Sequence, residues 1–300
     1  RIGLTVQCRH RLPVDWLSEI RPPWEEEYDD RFLEEQAEKG GIPVCCLFYA
    51  SDIGHLPTLT RILDLMLLEG AKCGLAFPST WYDYQPELLE QLYVPVDAGG
   101  VYPNVEPLLV SAGTGVAAEA EGYLDARTLT DSIKQAREQI ADQVGPRLAP
   151  IGYYPFQDAC PAYKHQTGQP QFAAVEASGV KYCITYLHEN TAPQIVYRGD
   201  KLIAINQQTL HWHPRSVVKT ATVRIKEWEA KITQTGRAGW IVFGFDSPFY
   251  GLAPGYLRFM EGVLGAMEYA IGGGQSKKLF LAKPHEVARY AEILKRNGVV

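Results

Sequence analysis

The sequence predicts an α/β protein, a parallel barrel of about seven strands, and two observations lead to this prediction. Short apolar runs alternate with segments of helical period from residue 42 onward, as they do in repeats that build a parallel sheet. The chain has 300 residues, a length that suits one barrel of ordinary size. An open doubly wound sheet is the alternative, but no G-x-G-x-x-G or P-loop motif follows a strand-like run.

The first repeat pairs the apolar run "VCCLFY" with the helical segment "LPTLTRILDLMLLEG". One face of this helix carries the apolar residues Leu59, Ile62, Leu63, Met66 and Leu67. Gly70 is a residue type that ends helices, and "CGLAF" then reads as the second strand.

A second helix is predicted over "TLTDSIKQAREQIADQVG", after a stretch rich in Pro and Gly. Its apolar stripe consists of Ile133, Ala136, Ile140 and Val144. Thr128 or Thr130 is expected to cap its start, and Gly145 lies beyond its end. The alternation continues through "IGYY", "QFAAVEASG", "VKYCITY", "LIAIN", "TATVRIKEWEAKITQTG", "WIVFGF", "YLRFMEGVLGAMEYA", "LFLA" and "HEVARYAEILKRNG".

Residues 1–41 differ from the remainder, because "RPPWEEEYDDRFLEEQAEKGG" is acidic and turn-rich. About forty residues seldom bury an adequate core, so we expect an acidic extension on a barrel domain of residues 42–300. The chain begins with Arg1, which suggests a mature product or a domain of a larger chain. The residues by themselves do not define a compartment.

Composition excludes several classes of function. The formal charge is −6, from 35 acidic and 29 basic residues without a long block of either sign, so nucleic acid is not expected as a partner. The apolar runs are shorter than the roughly 18 residues that a membrane span requires. Six cysteines without C-x2-C spacing indicate neither a zinc knuckle nor a disulfide scaffold, and four of them lie in strand-like runs as small apolar residues: Cys45, Cys46, Cys73 and Cys183.

Candidate catalytic residues follow the apolar runs, because parallel barrels place their chemistry at the carboxyl ends of strands. Three carboxylates occupy such positions: Asp52, Glu119 and Asp246. Glycoside hydrolysis requires two carboxylates held about 5 to 10 Å apart, one as acid and one as base or nucleophile. The competing interpretation is that all three are solvated or hydrogen-bonded loop residues.

Candidate binding residues lie in the same positions. The spacing of His211 and His213 in "TLHWHP" puts both imidazoles on one side of an extended strand, where they can meet a metal or a sugar hydroxyl. Aromatic rings suit the C–H faces of sugars, although they also fill barrel cores. The aromatic candidates are Trp81, Tyr82, Tyr154 and Trp212.

The order of motifs resembles that of the polysaccharide deacetylases, carbohydrate esterases with a deformed parallel barrel. "SDIGHLPTLTRILDLMLLEGAKCGLAF" is laid out like the opening of that family, where a paired-Asp motif ends the first strand. "SAGTGVAAEAEGYL" occupies the place of the histidine motif and "GYYPFQD" that of the Arg-Pro motif. "WIVFGFDSPFYGLAPGYLRFMEGVLGAMEYA" is similar to the closing strand and helix, so that the resemblance spans about residues 42–294.

The catalytic and metal-binding residues of that family are largely replaced in this sequence. Its first Asp is a general base, its second Asp and two histidines bind a divalent metal, and a late His is the general acid. The corresponding positions here hold Ser51, Asp52, Glu119, Tyr123 and Asp246 or Ser247, while Tyr154 replaces the motif arginine. The resemblance thus implies that only Asp52 remains of the ligand set. No metal cofactor is expected; a divalent metal would require that this alignment with the family's motifs is wrong.

The function predicted from this resemblance is a carbohydrate-binding domain that lacks the standard zinc-dependent deacetylase centre. Its expected partner is a polysaccharide or oligosaccharide, bound by aromatic and polar residues at the barrel mouth: Trp81, Tyr82, Tyr123, Tyr154, His211, Trp212 and His213. A carboxylate-based glycoside hydrolase and a divergent deacetylase are the alternatives. The resemblance also implies a location outside the cytoplasm.

Overall fold

The computed structural model describes residues 29–49, 64, 70–79, 92, 104–110, 125–155, 171–186, 191–211, 214–246 and 255–300. At positions 186, 209–220, 246 and 255–260 the description covers the backbone and not the side chains. Helices in these ranges are α1 (Asp30–Glu38), α2 (Ala126–Val144), α3 (Phe172–Ala177), α4 (Pro214–Thr235), α5 (Gly255–Ile271) and α6 (Pro284–Arg296). The strands are β1 (Ile42–Tyr49), β2 (Cys73–Ala76), β3 (Val105–Leu108), β4 (Gly152–Tyr153), β5 (Tyr182–Tyr186), β6 (Ile195–Arg198), β7 (Ile203–Gln207), β8 (Thr209–His211), β9 (Ile241–Asp246) and β10 (Leu279–Leu281).

These strands form two sheets. One sheet has six strands in the order β3-β2-β1-β9-β8, with β10 paired to the start of β1, and all its pairings are parallel. The other has four strands in the order β4-β5-β7-β6, and β6 is its antiparallel member. The parallel α/β class predicted from the sequence is confirmed.

The two sheets meet at both of their edges. Leu109, directly after β3, forms a parallel bridge with Tyr153 of β4. At the other edge β7 runs into β8 through Gln208, whose backbone N–H donates to the Val242 carbonyl of β9 at 3.0 Å. The pairings therefore run in a circuit through β1, β2, β3, β4, β5, the continuous segment that forms β7 and then β8, and β9. Closure into a barrel remains a prediction, and these two junctions favour it.

Side chains alternate between two apolar clusters along β1, as the period of a strand requires. Val44, Cys46 and Phe48 pack in the cluster that includes the buried stripe of α2. Cys45, Leu47 and Tyr49 pack in a second cluster with residues of β5, β7 and β9, strands that are mostly not neighbours of β1. Side chains from strands that are not neighbours therefore meet in this second cluster.

Helix α6 covers the amino ends of the strands. Buried residues of α6 join the second cluster, and the Tyr290 hydroxyl donates to the Gly41 carbonyl just before β1. Pro284 packs so closely under β2 that a Cβ atom on Gly74 would lie 2.5 Å from its Cγ. The carboxyl ends of the strands lie at the opposite end.

Helix α1 lies within the predicted acidic extension, and it packs against α6. Leu33 is buried in the second cluster. Arg289 of α6 donates from Nε to Asp30 at 2.7 Å, and the ring of Phe32 meets Phe280 of β10 edge-on. Residues 30–38 thus share the core of the described fold, whereas the boundary at residue 41 remains a prediction.

Helix α2 confirms the predicted stripe, but its start differs from the prediction. Ile133, Ala136, Ile140 and Val144 are all buried, and Gly145 follows the helix with a positive φ. The cap is Asp125, whose carboxylate accepts from the Thr128 N–H at 2.8 Å. The prediction of a threonine cap is wrong, because Thr128 and Thr130 lie inside the first turns; the Thr130 hydroxyl donates back to the Ala126 carbonyl.

Four cysteines occupy the apolar sites that the sequence predicted. Cys45, Cys46, Cys73 and Cys183 are free and buried, and burial raises the pKa of the Cys73 thiol to about 12. A thiol with such a pKa is a poor nucleophile. Within the described ranges, the helices lack either the length or the apolar composition needed to cross a membrane.

Candidate functional site

The carboxyl ends of the strands bring together residues that are far apart in the sequence. Tyr49 ends β1, Tyr154 follows β4, Gln207 ends β7 and Asp246 ends β9. Since β1 and β9 are parallel neighbours, the backbones of Tyr49 and Asp246 are paired directly. This edge of the sheet is where parallel barrels carry their binding and catalytic groups.

Tyr49, Tyr154 and Gln207 meet inside this edge. The rings of Tyr49 and Tyr154 have centroids 6.3 Å apart, although β1 and β4 are separated by two other strands. The Tyr154 hydroxyl donates to Oε1 of Gln207 at 3.0 Å. All three side chains are buried, with exposed fractions of 2%, 4% and 0%. They form a cluster that we call the mouth cluster.

Gln207 contributes a polar group without a partner to the mouth cluster. Its Oε1 accepts a hydrogen bond from the Tyr154 hydroxyl, whereas its Nε2 is buried and donates to no acceptor among the described residues. An unpaired buried donor costs about 1–3 kcal/mol. The amide is therefore suited to donate to an acceptor on a bound molecule.

Two of the predicted site residues lie on adjacent strands. His211 ends β8 and is paired with Phe245, the residue before Asp246 on β9. The structure thus brings the backbones of His211 and Asp246 together at the carboxyl edge. Of the aromatic candidates, Tyr154 is described, and its ring is covered by protein. The other predicted residues lie outside the described ranges: Asp52, Trp81, Tyr82, Glu119, Tyr123, Trp212 and His213.

The mouth cluster does not fit a zinc ion. Zinc sites use imidazole, thiolate or carboxylate donors, whereas the mouth cluster supplies two phenols and an amide. Among the described residues, no group of three His, Cys, Asp or Glu side chains could hold a metal. The family's ligand positions at Asp52, Glu119 and Tyr123 lie outside these ranges, and the absence of a zinc centre stays a prediction.

A second polar cluster lies at the amino end, under α6. Glu106 of β3 is fully buried; its carboxylate accepts from the Tyr182 hydroxyl at 2.6 Å and from the His285 backbone N–H at 3.0 Å. Nδ1 of His285 is 2.7 Å from the same carboxylate. Beside it, the Lys72 ammonium lies 3.2 Å from the buried Glu286 carboxylate.

The two buried glutamates have opposite pKa shifts. Burial opposes ionisation of Glu106, but the charge and hydrogen bonds of His285, with the Tyr182 hydroxyl, outweigh it and hold the pKa of this carboxyl below its ordinary value. Burial dominates at Glu286 and raises the pKa of its carboxyl despite the Lys72 charge. In parallel barrels this end serves stability, so we assign these groups to holding α6 against the sheet.

Tyr49, Gln207 and Glu106 were not among the residues predicted from the sequence. Gln207 could have been found from the sequence, because three polar residues end the apolar run in "LIAINQQ". Tyr49 lies inside its apolar run, and Glu106 is followed by Pro107 in a stretch that did not look like a strand. Their partners are distant in sequence, and this long-range pairing has no local pattern.

No family model matches the sequence, and no curated protein sequence is significantly similar to it. Solved structures are similar in fold. A candidate polysaccharide deacetylase from Mycobacterium smegmatis has a TM-score of 0.56 and 12% identity, over 85% of this chain and 92% of that one. The 4-alpha-glucanotransferase from Thermococcus litoralis has a TM-score of 0.51 and 13% identity, over 82% of this chain and 40% of that one.

A pseudoenzyme of the CE4 family from Bacillus anthracis matches with a TM-score of 0.44 and 9% identity, over 83% of this chain and 66% of that one. The first likeness shows that this chain shares the fold of that candidate polysaccharide deacetylase, as its motif order predicted. At such low identity, a likeness in structure concerns the fold, and function has to be argued from the site.

Proposed function

We propose that this chain is a carbohydrate-binding domain with the polysaccharide deacetylase fold and without the zinc-dependent deacetylase centre. Two proteins with similar folds are named for work on carbohydrates, a candidate polysaccharide deacetylase and a glucanotransferase. Fold alone does not carry function. The proposal therefore depends on the carboxyl edge of the strands.

The observation that carries the proposal is the unpaired amide of Gln207 in the mouth cluster. A sugar hydroxyl accepts and donates hydrogen bonds, so it can take the N–H that Gln207 leaves without an acceptor among the described residues. Tyr154 holds that amide through its hydroxyl at 3.0 Å. Because its hydroxyl is used in that hydrogen bond, we assign Tyr154 to positioning Gln207, and we keep Trp81 and Trp212 as the stacking residues.

Oligosaccharide binding is expected to depend on these residues. Removing the amide in Gln207→Leu should weaken binding by about 0.5–1.5 kcal/mol, roughly two- to twelvefold, because one hydrogen bond is lost. Trp81→Ala and Trp212→Ala should each cost about 0.5–1.5 kcal/mol in stacking beyond burial. Calorimetric titration with chitin, cellulose and uronate oligomers measures the dissociation constants.

The matched control for this experiment is Ile271→Ala, which removes an apolar side chain that is 49% exposed at the end of α5. It should bind as the parent does, and circular dichroism should confirm that every variant folds. If no oligomer binds the parent, or if Gln207→Leu, Trp81→Ala and Trp212→Ala all bind as tightly as the parent, the carbohydrate site is wrong.

The purified protein is expected to hold no stoichiometric zinc and to release acetate from acetylated oligosaccharides at background rate. Ser51 stands where the family has its general base, and Asp52 is the remaining metal ligand. Elemental analysis and an acetate assay check both points. About one zinc per chain, lost in Asp52→Ala together with acetate release, would contradict the prediction and identify a divergent deacetylase.

A carboxylate-based glycosidase is the second candidate, and the position of Asp246 favours it. Its backbone is paired with Tyr49 at the carboxyl edge, where an acid or a nucleophile would meet a sugar. Release of reducing sugar from the oligomers, abolished in Asp246→Asn with binding retained, would select this candidate over the binding domain.

A further inference from the structure

A cavity of about 290 Å³ lies near the amino end of β9, away from the mouth cluster. It is bounded by the last turns of α4, the segment that enters β6, and the residues that follow α6. Its apolar walls are Pro193, Ile195, Ile232, Ala238 and Val299. Small-molecule pockets usually measure about 300–1,000 Å³, so this cavity suits a small ligand with an apolar body.

Three cationic side chains line the same cavity: Lys231, Arg237 and Lys295. No Asp or Glu side chain occurs among its described lining residues. None of the three forms an ion pair with a carboxylate within the part of the chain that the structure describes. Like charges concentrated in a cleft attract an anion.

Trp228, which carries a buried donor, is one of the lining residues of the cavity. Its indole N–H is buried and has no acceptor among the described residues, whereas the indole of Trp240 donates to the Asn206 carbonyl at 3.0 Å. Lys231 Nζ lies 4.2 Å from the centre of the Trp228 ring. Buried polar groups in proteins are nearly always hydrogen-bonded, so an acceptor inside the cavity would complete this donor.

We propose that this cavity binds a small amphipathic anion, a carboxylate carried on an aliphatic or aromatic body. The carboxylate accepts from the cations and from Trp228, and the body packs against the apolar walls. This site is independent of the proposed carbohydrate site.

Octanoate and 3-phenylpropanoate, each compared with its uncharged amide, test the proposal on the whole chain by calorimetry and tryptophan fluorescence. We expect at least one of the acids to bind with a stoichiometry of one. Its amide should bind at least tenfold more weakly, because the amide cannot pair with the cations. If neither acid binds, or if the amide binds as tightly as its acid, the proposal is wrong.

Variants place the bound acid in this cavity. The affinity for the acid should fall several-fold in each of three single variants, Lys231→Gln, Arg237→Gln and Lys295→Gln. The triple variant should lose binding. Trp228→Phe keeps the apolar wall, removes the donor and should weaken binding several-fold. The charge control is Lys134→Gln, an exposed lysine of α2, which should bind as the parent does. A triple variant that binds like the parent overturns the proposal, and this outcome is decisive even if Trp228→Phe fails to fold.

Discussion

Replacing Glu106 by alanine is expected to lower the free energy of unfolding by about 3–5 kcal/mol, because it removes one member of a buried, hydrogen-bonded charge cluster. The carboxylate accepts from the Tyr182 hydroxyl and the His285 backbone, and it lies 2.7 Å from Nδ1 of His285. Without it, the buried hydroxyl of Tyr182 and the first turn of α6 lose their acceptor.

Urea unfolding followed by tryptophan fluorescence measures this loss. Glu106→Gln keeps one acceptor oxygen and the shape of the side chain, so we expect a smaller loss of about 1–3 kcal/mol. Glu138→Ala on the exposed face of α2 is the control and should stay within about 0.5 kcal/mol of the parent. A loss below about 1 kcal/mol for Glu106→Ala would contradict the assigned role.

The pH dependence of stability gives an independent test of the same cluster. The pKa of Glu106 is lower in the folded protein than its ordinary value of 4.5. The unfolded chain therefore binds more protons than the folded chain as the pH falls below that value. The contribution of Glu106 to the free energy of unfolding is complete above about pH 4.5. It is lost as the pH falls through the pKa of Glu106 in the folded protein. This part of the pH dependence should be absent in Glu106→Gln.

Glu106 also shows why part of the fold was predictable and part was not. Most residues of β1, β2, β5, β7 and β9 are apolar, as expected for strands buried on both faces, and the order of these strands along the chain was predictable. β3 was missed because a charge and a proline, Glu106 and Pro107, interrupt its short run. The charge is tolerated there because His285, 179 residues away, supplies its partner.

The candidate site, like the fold, could be predicted from the sequence in part. The carboxyl edge was predictable because strand ends follow from strand positions, and His211 and Asp246 were both expected there. That their strands are neighbours is known from the structure. It did not indicate that Tyr154 would be buried against Gln207, since 53 residues separate the two. Direction and burial of a side chain after a strand depend on which distant strand lies opposite.

The second large effect is expected at the ion pair between Lys72 and Glu286. Lys72→Ala should lower the free energy of unfolding by about 3–5 kcal/mol near neutral pH, because it leaves a buried carboxylate without its counter-charge. The two side chains are 7% and 0% exposed. The Lys283 N–H, which still donates to Glu286 at 2.7 Å, cannot replace the lost cation.

The pH dependence of this variant should run opposite to that of Glu106. Burial already raises the pKa of Glu286, and Lys72 counteracts that rise. Without Lys72 the folded pKa climbs further above the unfolded value, so the folded state binds more protons and its stability increases as the pH falls. The loss caused by Lys72→Ala should therefore be largest at pH 8 and clearly smaller at pH 5.

Urea unfolding at both pH values measures this loss, with Lys134→Ala as the exposed control. Adding Glu286→Gln to Lys72→Ala removes the buried charge while keeping an acceptor for the Lys283 N–H. The double variant should therefore be more stable than Lys72→Ala at pH 8. If the loss is the same at both pH values, or if the double variant is no more stable than Lys72→Ala, an unpaired charge is not its cause.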